Sequence, residues 1–329
     1  MANPVFHIKD GYYFEVPKVL WHYHYTDTSQ FEKDYPFFHK MSEKERNEHP
    51  HEKDLYDEVG QFSAEQLNRE LSGKIIIPQP FATLKNLHDK QSGFAISKFM
   101  LLELLAAAIM AFIFVRLGRR IATGGAPKGK RWNLGEAMLV FVRDEIAVSA
   151  MGKHEAERFT PLLWTLFFFI LTCNLLGLIP WLGAPTGAFA VTFGLACVVF
   201  CTSFGSGIKK FGPIGFWLNQ VPPMDLPWWL KPLKLPIFVI EVASTCIKHA
   251  ILSVRLLANM VAGHLVLLGI LGLIAVAAAA STGQWLLVLL ISVVSSTLFS
   301  VLELFVAFLQ AYVFTFLSAL FISAAVHHH

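Results

Sequence analysis

The fold is decided by two long apolar segments, which read PIFVIEVASTCIKHAILSVRLLANMVAGHLVLLGILGLIAVAA at residues 236–278 and QWLLVLLISVVSSTLFSVLELFVAFLQAYVFTFLSALFISAAV at residues 284–326. Each has about forty residues and measures roughly 60 Å as a helix, twice the hydrocarbon core of a bilayer. Each segment therefore either breaks into two spans or joins a long hairpin that lies strongly tilted. Residues 237–329 contain no proline to break a helix, which favours the tilted hairpin.

Three shorter apolar segments precede this pair, and each has the length of one membrane span. They are predicted at about 97–117, 160–182 and 186–206. Apolar residues at helical spacing between charged ones predict an amphipathic helix along the membrane interface at about 134–150. The charged share of 16% is low, since soluble proteins average about 25%. The sequence therefore predicts an all-α integral membrane protein with about five membrane helices and one interfacial helix, the last two membrane helices forming the tilted hairpin.

The N-terminal part of the chain differs from the rest in composition. Residues 1–95 are rich in His, Glu, Lys and Tyr, and they are predicted to form an extramembrane arm before a membrane domain at 96–329. The loops at 118–159 and 207–235 hold nearly all the lysine and arginine after residue 100, so the positive-inside rule puts them in the cytoplasm and the arm outside. The unusual arm favours a bacterial inner membrane, with the mitochondrial inner membrane as the alternative.

Neither a metal nor another cofactor is predicted. The histidines of the arm match no ligand spacing and are interpreted as solvated surface. They are His7, His22, His24, His39, His49 and His51. The four cysteines lie in apolar stretches without C-x-x-C spacing and are interpreted as packing thiols. They are Cys173, Cys197, Cys201 and Cys246. The terminal His327, His328 and His329 are either native or left by purification. Basic residues scattered along loops give no sign of nucleic acid as a partner.

Ionisable residues lie inside both long segments, where each costs roughly 3 kcal/mol or more unless it faces a partner or water. The ionisable and neighbouring polar residues are Glu241, Lys248, Arg255, Asn259 and His264 in the first segment and Glu303 and Gln310 in the second. An ion pathway is the default interpretation of such a set, and buried contacts between helices are the alternative. Five ionisable groups in one hairpin favour the pathway, although one isolated His or Gln would favour contacts.

Four of these residues share one stripe of the first helix, within roughly 40° at 100° per residue. The stripe consists of Glu241, Lys248, Arg255 and Asn259. The first helix is therefore charged along one face and not all round.

Depth along the hairpin follows from the rise of roughly 1.5 Å per residue. If Gln310 lies level with Arg255, then Glu303 lies about 10.5 Å and His264 about 13.5 Å further out, nearly at one depth. Glu241 lies about 21 Å toward the inside. Nine residues turn His264 to about the opposite azimuth from Arg255, so a pair of His264 and Glu303 needs helix curvature or a separate channel wall.

Three motifs, in order along the chain, resemble one family. They read NLLGLIP at 174–180, LSVRLLANMVAGH at 252–264 and LELFVAFLQAYVF at 302–314. Together they closely resemble subunit a of rotary F-type ATP synthases, and the likeness covers roughly residues 97–326. The order and number of the motifs make the resemblance highly specific.

The resemblance implies a central role for Arg255. It is the essential arginine that faces the rotating ring of small subunits, and Asn259 and Gln310 are its polar neighbours. Arginine keeps its proton at any relevant pH, so a proton cannot hop across it. A ring carboxylate that faces Arg255 is stabilised as the anion, and it is protonated before it turns into lipid.

The resemblance also assigns the two ends of the pathway. His264 and Glu303 line the outer half-channel, in the arrangement of mitochondrial and alphaproteobacterial members. Glu241 matches the acidic position toward the inner half-channel, with Lys248 on the same stripe. Asn174 matches the asparagine of the family's second span.

The sequence departs from the family pattern at three points. Ala258 stands where many members have Gly, His249 stands where many have Pro, and the arm is longer than the common bacterial one. The coupling ion is left open between H⁺ and Na⁺, since the ring's site decides it; the absence of an extra carboxylate cluster mildly favours H⁺.

The resemblance implies a proton-translocating stator subunit of the rotary ATP synthase. Its partners are the ring of c subunits, the stator b subunits, the rest of the synthase and the lipid bilayer. The chain has no phosphate loop, so it is expected to hold no catalytic site of its own. A secondary transporter and a structural anchor are the rival interpretations. The first is disfavoured because the chain has no repeated half, and the second because an anchor needs no arginine at mid-helix.

Overall fold

The computed structural model describes residues 10–17, 34–38, 68, 71–84, 87–88, 90–122, 130–179, 182–219, 234–279 and 281–326. The histidines named above in the arm and at the C-terminus lie outside these residues. The chain divides into two compact units. The first contains residues up to 105 together with 179–185, and the second contains 106–178 and 186–329.

The first unit contains two small antiparallel sheets. The first sheet pairs β1 (Tyr13–Glu15) with β2 (Lys74–Ile76), and the second pairs β3 (Ala82–Leu84) with β4 (Lys90–Gly93). Tyr13, Phe38, Leu71, Ile76 and Leu84 form a small buried core between them. Burial, helped by the charge of Glu15, raises the pKa of Tyr13 to about 12. The Tyr13 side chain is thus a neutral member of this core.

Side chains of the first unit fix the start of α1 (Lys98–Ala122). The amide of Gln79 donates to the Ile96 carbonyl at 2.8 Å and accepts from the Ile96 N–H at 2.8 Å. The Asp10 carboxylate accepts from the backbone N–H of Phe99 at 3.4 Å, so it satisfies one of the free N–H groups at the helix N-terminus. The chain before α1 is therefore held to the helix by hydrogen bonds from distant residues.

The connection at 182–185 lies against the same helix start. A Cβ atom on Gly183 would lie 3.3 Å from the Lys98 ammonium and 3.2 Å from the Phe99 ring, and the φ of +81° at Gly183 also favours glycine. The basic-loop pattern places both segments on the outer side of the membrane. Their contact agrees with that orientation.

Most of the second unit is helical. After α1 come α2 (Lys130–Phe141), a π-helix (Val142–Val148), α3 (Ser149–Met151), α4 (Lys153–Gly177), α5 (Phe189–Asn219), α6 (Lys234–Val276) and α7 (Thr282–Val326). Among the described residues, five helices are long and apolar enough to cross a membrane: α1, α4, α5, α6 and α7. The predicted fold class, an all-α membrane protein, is confirmed. The division into an arm and a membrane domain near residue 95 stays a prediction.

Each of the two long apolar segments forms one unbroken helix, with 43 residues in α6 and 45 in α7. The start of α7 is held by contacts between Ser281, just before the helix, and Gln284 in its first turn. The backbone N–H and the hydroxyl of Ser281 both donate to the Gln284 side chain, at 3.3 and 3.1 Å. Of the two alternatives for these segments, the hairpin is the one that the structure adopts.

The residues predicted as an interfacial helix are helical, with a π-helix in the middle. Its wider turn changes the backbone hydrogen-bond register, and the Trp164 indole of α4 donates to the Leu139 carbonyl just before it at 2.9 Å. Val142, Ile146 and Ala147 are buried, whereas Arg143 and Asp144 form an exposed ion pair at 2.7 Å. The hydrogen bond from Arg143 lowers the pKa of Asp144.

Helix α5 is bent at Gly212, which has a φ of +75° before Pro213. The short segment after the bend folds back, so that the Phe216 ring lies directly over Gly207, where any side chain would collide with it. Near the bend, Lys210 forms an ion pair with Glu155 of α4 at 2.8 Å. This end of α5 is therefore held both by aromatic packing and by charge.

Candidate functional site

The site begins with the face that α6 turns toward its own chain. The buried residues of α6 are His249, Leu252, Ser253, Leu256, Met260 and Gly263. At 100° per residue they occupy an arc of roughly 100°, which packs on α5 and α7.

The predicted stripe lies along one edge of the arc. Arg255 and Lys248 are exposed, and Glu241 and Asn259 are half-buried. His264 is half-buried and lies along the opposite edge, about 180° from Arg255. The buried face of α6 therefore separates His264 from the stripe.

Arg255 is one of the two exposed cations of the stripe. It stands at the middle of α6 and is exposed. Among the described residues, no carboxylate oxygen lies within 4.0 Å of its guanidinium. The charge therefore points away from the rest of the described chain.

The polar residues of α7 have the opposite placement. Glu303 is 4% exposed and Gln310 7%, and they share the buried face with Ala307, Ala311 and Phe314. A buried carboxylate needs a donor or a proton to offset the loss of water. Neither carboxylate oxygen of Glu303 has a hydrogen-bond partner among the described residues. Both oxygens therefore remain available to a proton or to a donor from outside the described residues.

Gly263 leaves the space that Glu303 occupies. A Cβ atom at position 263 would lie 2.5 Å from Oε1 of Glu303, and Cβ atoms in proteins do not come that close to a nonbonded atom. The contact places Glu303 beside the residue that precedes His264. This is close to the depth that the helical rise per residue predicts for Glu303. Gly263 was not singled out from the sequence, although its place next to His264 in the motif was a signal that could have found it.

Asn174 has contacts of a different kind. It is fully buried in α4, donates from its amide to the Ala307 carbonyl at 3.3 Å and accepts from the Thr186 hydroxyl at 2.8 Å. Ala307 lies one turn after Glu303 and three residues before Gln310. Asn174 therefore holds α7 at the level of the two predicted pathway residues.

One hydroxyl pair fixes α6 in the same way. Ser253 donates to Thr192 of α5 at 3.2 Å, and both side chains are fully buried. Ser253 lies two residues before Arg255, so this bond limits the rotation of the helix that carries the arginine. Sequence reasoning missed this pair because a serine in an apolar helix gives no pattern of its own.

The structure thus groups seven of the eight predicted residues into two sets, and the half-buried His264, on the opposite edge of α6, belongs to neither. The exposed or half-buried set on α6 is Glu241, Lys248, Arg255 and Asn259, and the buried set on α7 with its support is Glu303, Gln310 and Asn174. No group of three or more His, Cys, Asp or Glu side chains among the described residues is placed to hold a metal ion.

The hairpin thus carries a cation exposed at mid-helix and, about two turns further out, a carboxylate buried beside Gly263, and its two helices have the length and composition of membrane helices. The family model described as ATP synthase A chain matches residues 99–323. The chain belongs to this family.

Relatives from several bacterial groups are similar to this chain. It is 40% identical to ATP synthase subunit a of Myxococcus xanthus over 250 residues, 75% of this chain and 78% of the relative. It is 38% identical to ATP synthase subunit a of Chloroherpeton thalassium over 255 residues, 76% and 73% of the two chains. ATP synthase subunit a of Gluconobacter oxydans is 39% identical over 228 residues, 69% of this chain and 87% of the relative.

Proposed function

We propose that this chain is the proton-translocating stator subunit of a rotary ATP synthase. It offers two offset half-channels to the carboxylates of a ring of small c subunits, and Arg255 separates them. The observation that carries the proposal is the exposed position of Arg255 at the middle of a 43-residue apolar helix. A charge in such a place faces a partner or a water-filled cavity, because lipid alone makes it too costly.

The partner of Arg255 is an acidic group on another chain. Within the described residues the guanidinium has no carboxylate at ion-pair distance, so the compensating charge comes from outside. A ring carboxylate that arrives beside a fixed cation is held as the anion. Once it leaves, it has to be protonated before it enters lipid. Arg255 thereby blocks the direct path for protons and makes rotation the open route.

The outer half-channel uses the buried side of the hairpin. His264 and Glu303 receive a proton from the outer side, and Gln310 lies two turns further in, at about the level of Arg255. Burial of Glu303 beside Gly263 supports this role, since the carboxylate is shielded from bulk water yet keeps both oxygens available.

The inner half-channel is lined by the charged stripe of α6. Glu241 and Lys248 lie on the cytoplasmic side of Arg255, where the proton leaves the ring. The electrical work per proton is about 2.3 kcal/mol per 100 mV, so several protons cross for each ATP made. ATP itself is made in the attached soluble head, which the stator b subunits hold in place, and the proposed location is a bacterial inner membrane.

The length of the hairpin supports its placement along the ring. Helices of 43 and 45 unbroken residues measure roughly 65 Å, about twice the hydrocarbon core. We infer that both helices lie strongly tilted in the membrane. A tilted pair passes more than one ring subunit at a time, which two offset half-channels require.

The test replaces Arg255 in the complete synthase. Vesicles reconstituted with Arg255→Ala are expected to lose ATP synthesis driven by an imposed pH and voltage difference. Lys209→Ala, which removes an exposed cation outside the hairpin, is the matched control and keeps wild-type synthesis. Synthesis at the wild-type rate by Arg255→Ala contradicts the proposal, and loss of solute uptake in place of ATP synthesis points to a transporter.

A further inference from the structure

One buried histidine of α6 has no part in the pathway described so far. His249 is 5% exposed and lies where α6 packs against both α5 and α7. Its ring meets the Phe200 ring of α5 edge-on at 5.1 Å between centroids and the Phe321 ring of α7 at 4.7 Å. The imidazole is therefore enclosed by three helices.

The hydrogen bond of one ring nitrogen determines the state of the other. Nδ1 of His249 lies 2.9 Å from the Thr245 carbonyl oxygen. A carbonyl oxygen only accepts, so Nδ1 carries a proton and donates it. In the neutral ring Nε2 then holds a lone pair and is the basic atom. Nε2 is buried and has no hydrogen-bond partner among the described residues.

The buried Nε2 acceptor has no hydrogen-bond partner among the described residues, so its presence calls for an explanation. Leaving such a group without a partner costs about 1–3 kcal/mol. Phenylalanine would make the same ring contacts with Phe200 and Phe321 without this cost. Packing alone therefore does not account for a histidine at this position, whereas an exchangeable proton on Nε2 does.

The depth of His249 fits a place on the inner side of the arginine. It lies six residues, about 9 Å along the helix, from Arg255 and eight residues, about 12 Å, from Glu241. The stretch between Arg255 and Glu241 measures about 21 Å, too far for a single proton transfer. His249 lies between them in depth, on the buried face about 80° around the helix from Glu241, so water has to link the groups.

The groups around the ring leave its proton free to exchange. The residues in ring contact with it from α5 and α7 are the uncharged Phe200 and Phe321. On its own helix the adjacent charged residue is the exposed Lys248. Among the described residues no carboxylate lies within 4.0 Å of the ring to hold a bound proton in place.

We propose that His249 is a proton-binding residue of the inner half-channel and that Nε2 is the atom that takes up and releases the proton. The inference rests on the proposed function. One N–H bond forms at Nε2 when a hydronium of the inner half-channel gives up its proton, and it breaks when water takes the proton back. Nδ1–H stays bonded to Thr245 throughout, so the ring needs neither to rotate nor to change tautomer.

The experiment uses the complete synthase in vesicles with the soluble head outward, so that the bath pH sets the pH of the inner side. ATP-driven proton pumping is measured for wild type, His249→Phe and His249→Gln, and normalised to the amount of assembled complex. Both variants are expected to pump at least about tenfold more slowly, since positioned proton-transfer groups contribute roughly 10²–10⁴-fold. The pH profile of both variants is expected to differ from that of wild type, because only wild type carries a titratable ring at this position.

The controls separate this inference from the proposed function. His154→Gln removes an exposed histidine on the same side and keeps wild-type pumping and pH profile. Wild-type pumping and pH profile in His249→Phe would overturn the inference, and should this variant fail to assemble, the polar but non-titrating His249→Gln decides on the same measurement. If Arg255→Ala stops pumping while both His249 variants pump normally, this inference alone fails; if Arg255→Ala pumps normally, the proposed function fails.

Discussion

The polar residues of α6 and those of α7 have similar chemistry but opposite exposure. On α6 the charged stripe lies at the edge of the buried face, and Arg255 points away from its own chain. On α7 Glu303 and Gln310 are turned inward, against α6 and within reach of support from α4. The difference supports the proposal that Arg255 contacts a partner chain, whereas Glu303 acts within its own chain.

Replacing the buried carboxylate is expected to have the largest effect. Glu303→Gln keeps the size and shape of the side chain but cannot take up a proton, so proton-driven ATP synthesis falls to near background while the complex still assembles. The measurement is ATP synthesis by reconstituted vesicles. Ser300→Ala, on the exposed side of α7, is the control and keeps full activity. Full synthesis by Glu303→Gln would mean that the inward-facing acid is only a packing residue.

The next prediction concerns the space beside Glu303 that Gly263 leaves open. Gly263→Ala puts a methyl group about where Oε1 now lies, which displaces the carboxylate and costs about 1–3 kcal/mol of overpacking. We expect severalfold slower ATP synthesis and a lower melting temperature. Gly269→Ala adds the same methyl group to α6 with no atom within 4 Å and is expected to change neither. Equal behaviour of the two variants contradicts the role given to Gly263.

The two hydrogen bonds of Asn174 in α4 predict an effect on stability. Asn174→Ala leaves the Ala307 carbonyl and the Thr186 hydroxyl without their partner in a fully buried place, which costs about 1–3 kcal/mol. A lower melting temperature of the purified complex in detergent is the expected result. Thr202→Ala, which removes an exposed hydroxyl bonded only within its own helix, leaves it unchanged. If melting is unchanged but synthesis is lost, Asn174 acts in the pathway and not as a support.

The smallest effect is expected for the hydroxyl pair that fixes α6. Ser253→Ala removes one neutral hydrogen bond, worth about 1 kcal/mol. Combining it with Thr192→Ala in a double-mutant cycle is expected to give a coupling of roughly 0.5–1 kcal/mol in the free energy of unfolding. Strictly additive losses would show that the two hydroxyls do not hold the helices together.

The fold was predictable because membrane helices are long and apolar. The runs at 236–278 and 284–326 gave the two long helices, and the absence of proline gave their continuity. Their ends were harder to predict, because a helix continues beyond the apolar core: α4 begins at Lys153 in a charged turn, well before its apolar run. The π-helix at Val142–Val148 left no signal, since its residues have ordinary helical spacing.

The site was predictable in part. The rule of 100° per residue gave the stripe of α6, but which side of that stripe would be covered depends on how α5 and α7 pack, and helical spacing carries no information about that. The same limit hid the contact between Gly263 and Glu303 and the enclosure of His249. The roles of these residues in moving protons stay predictions that rest on the family resemblance and on the placement of the side chains.

The central claim is that Arg255 faces an acidic group of a partner chain. A density map of the assembled membrane sector tests it most directly. We predict a guanidinium within about 4–6 Å of a carboxylate on a ring that packs along the exposed edge of α6. A side chain that instead reaches lipid headgroups or bulk water, with no acidic ring beside it, would contradict the account.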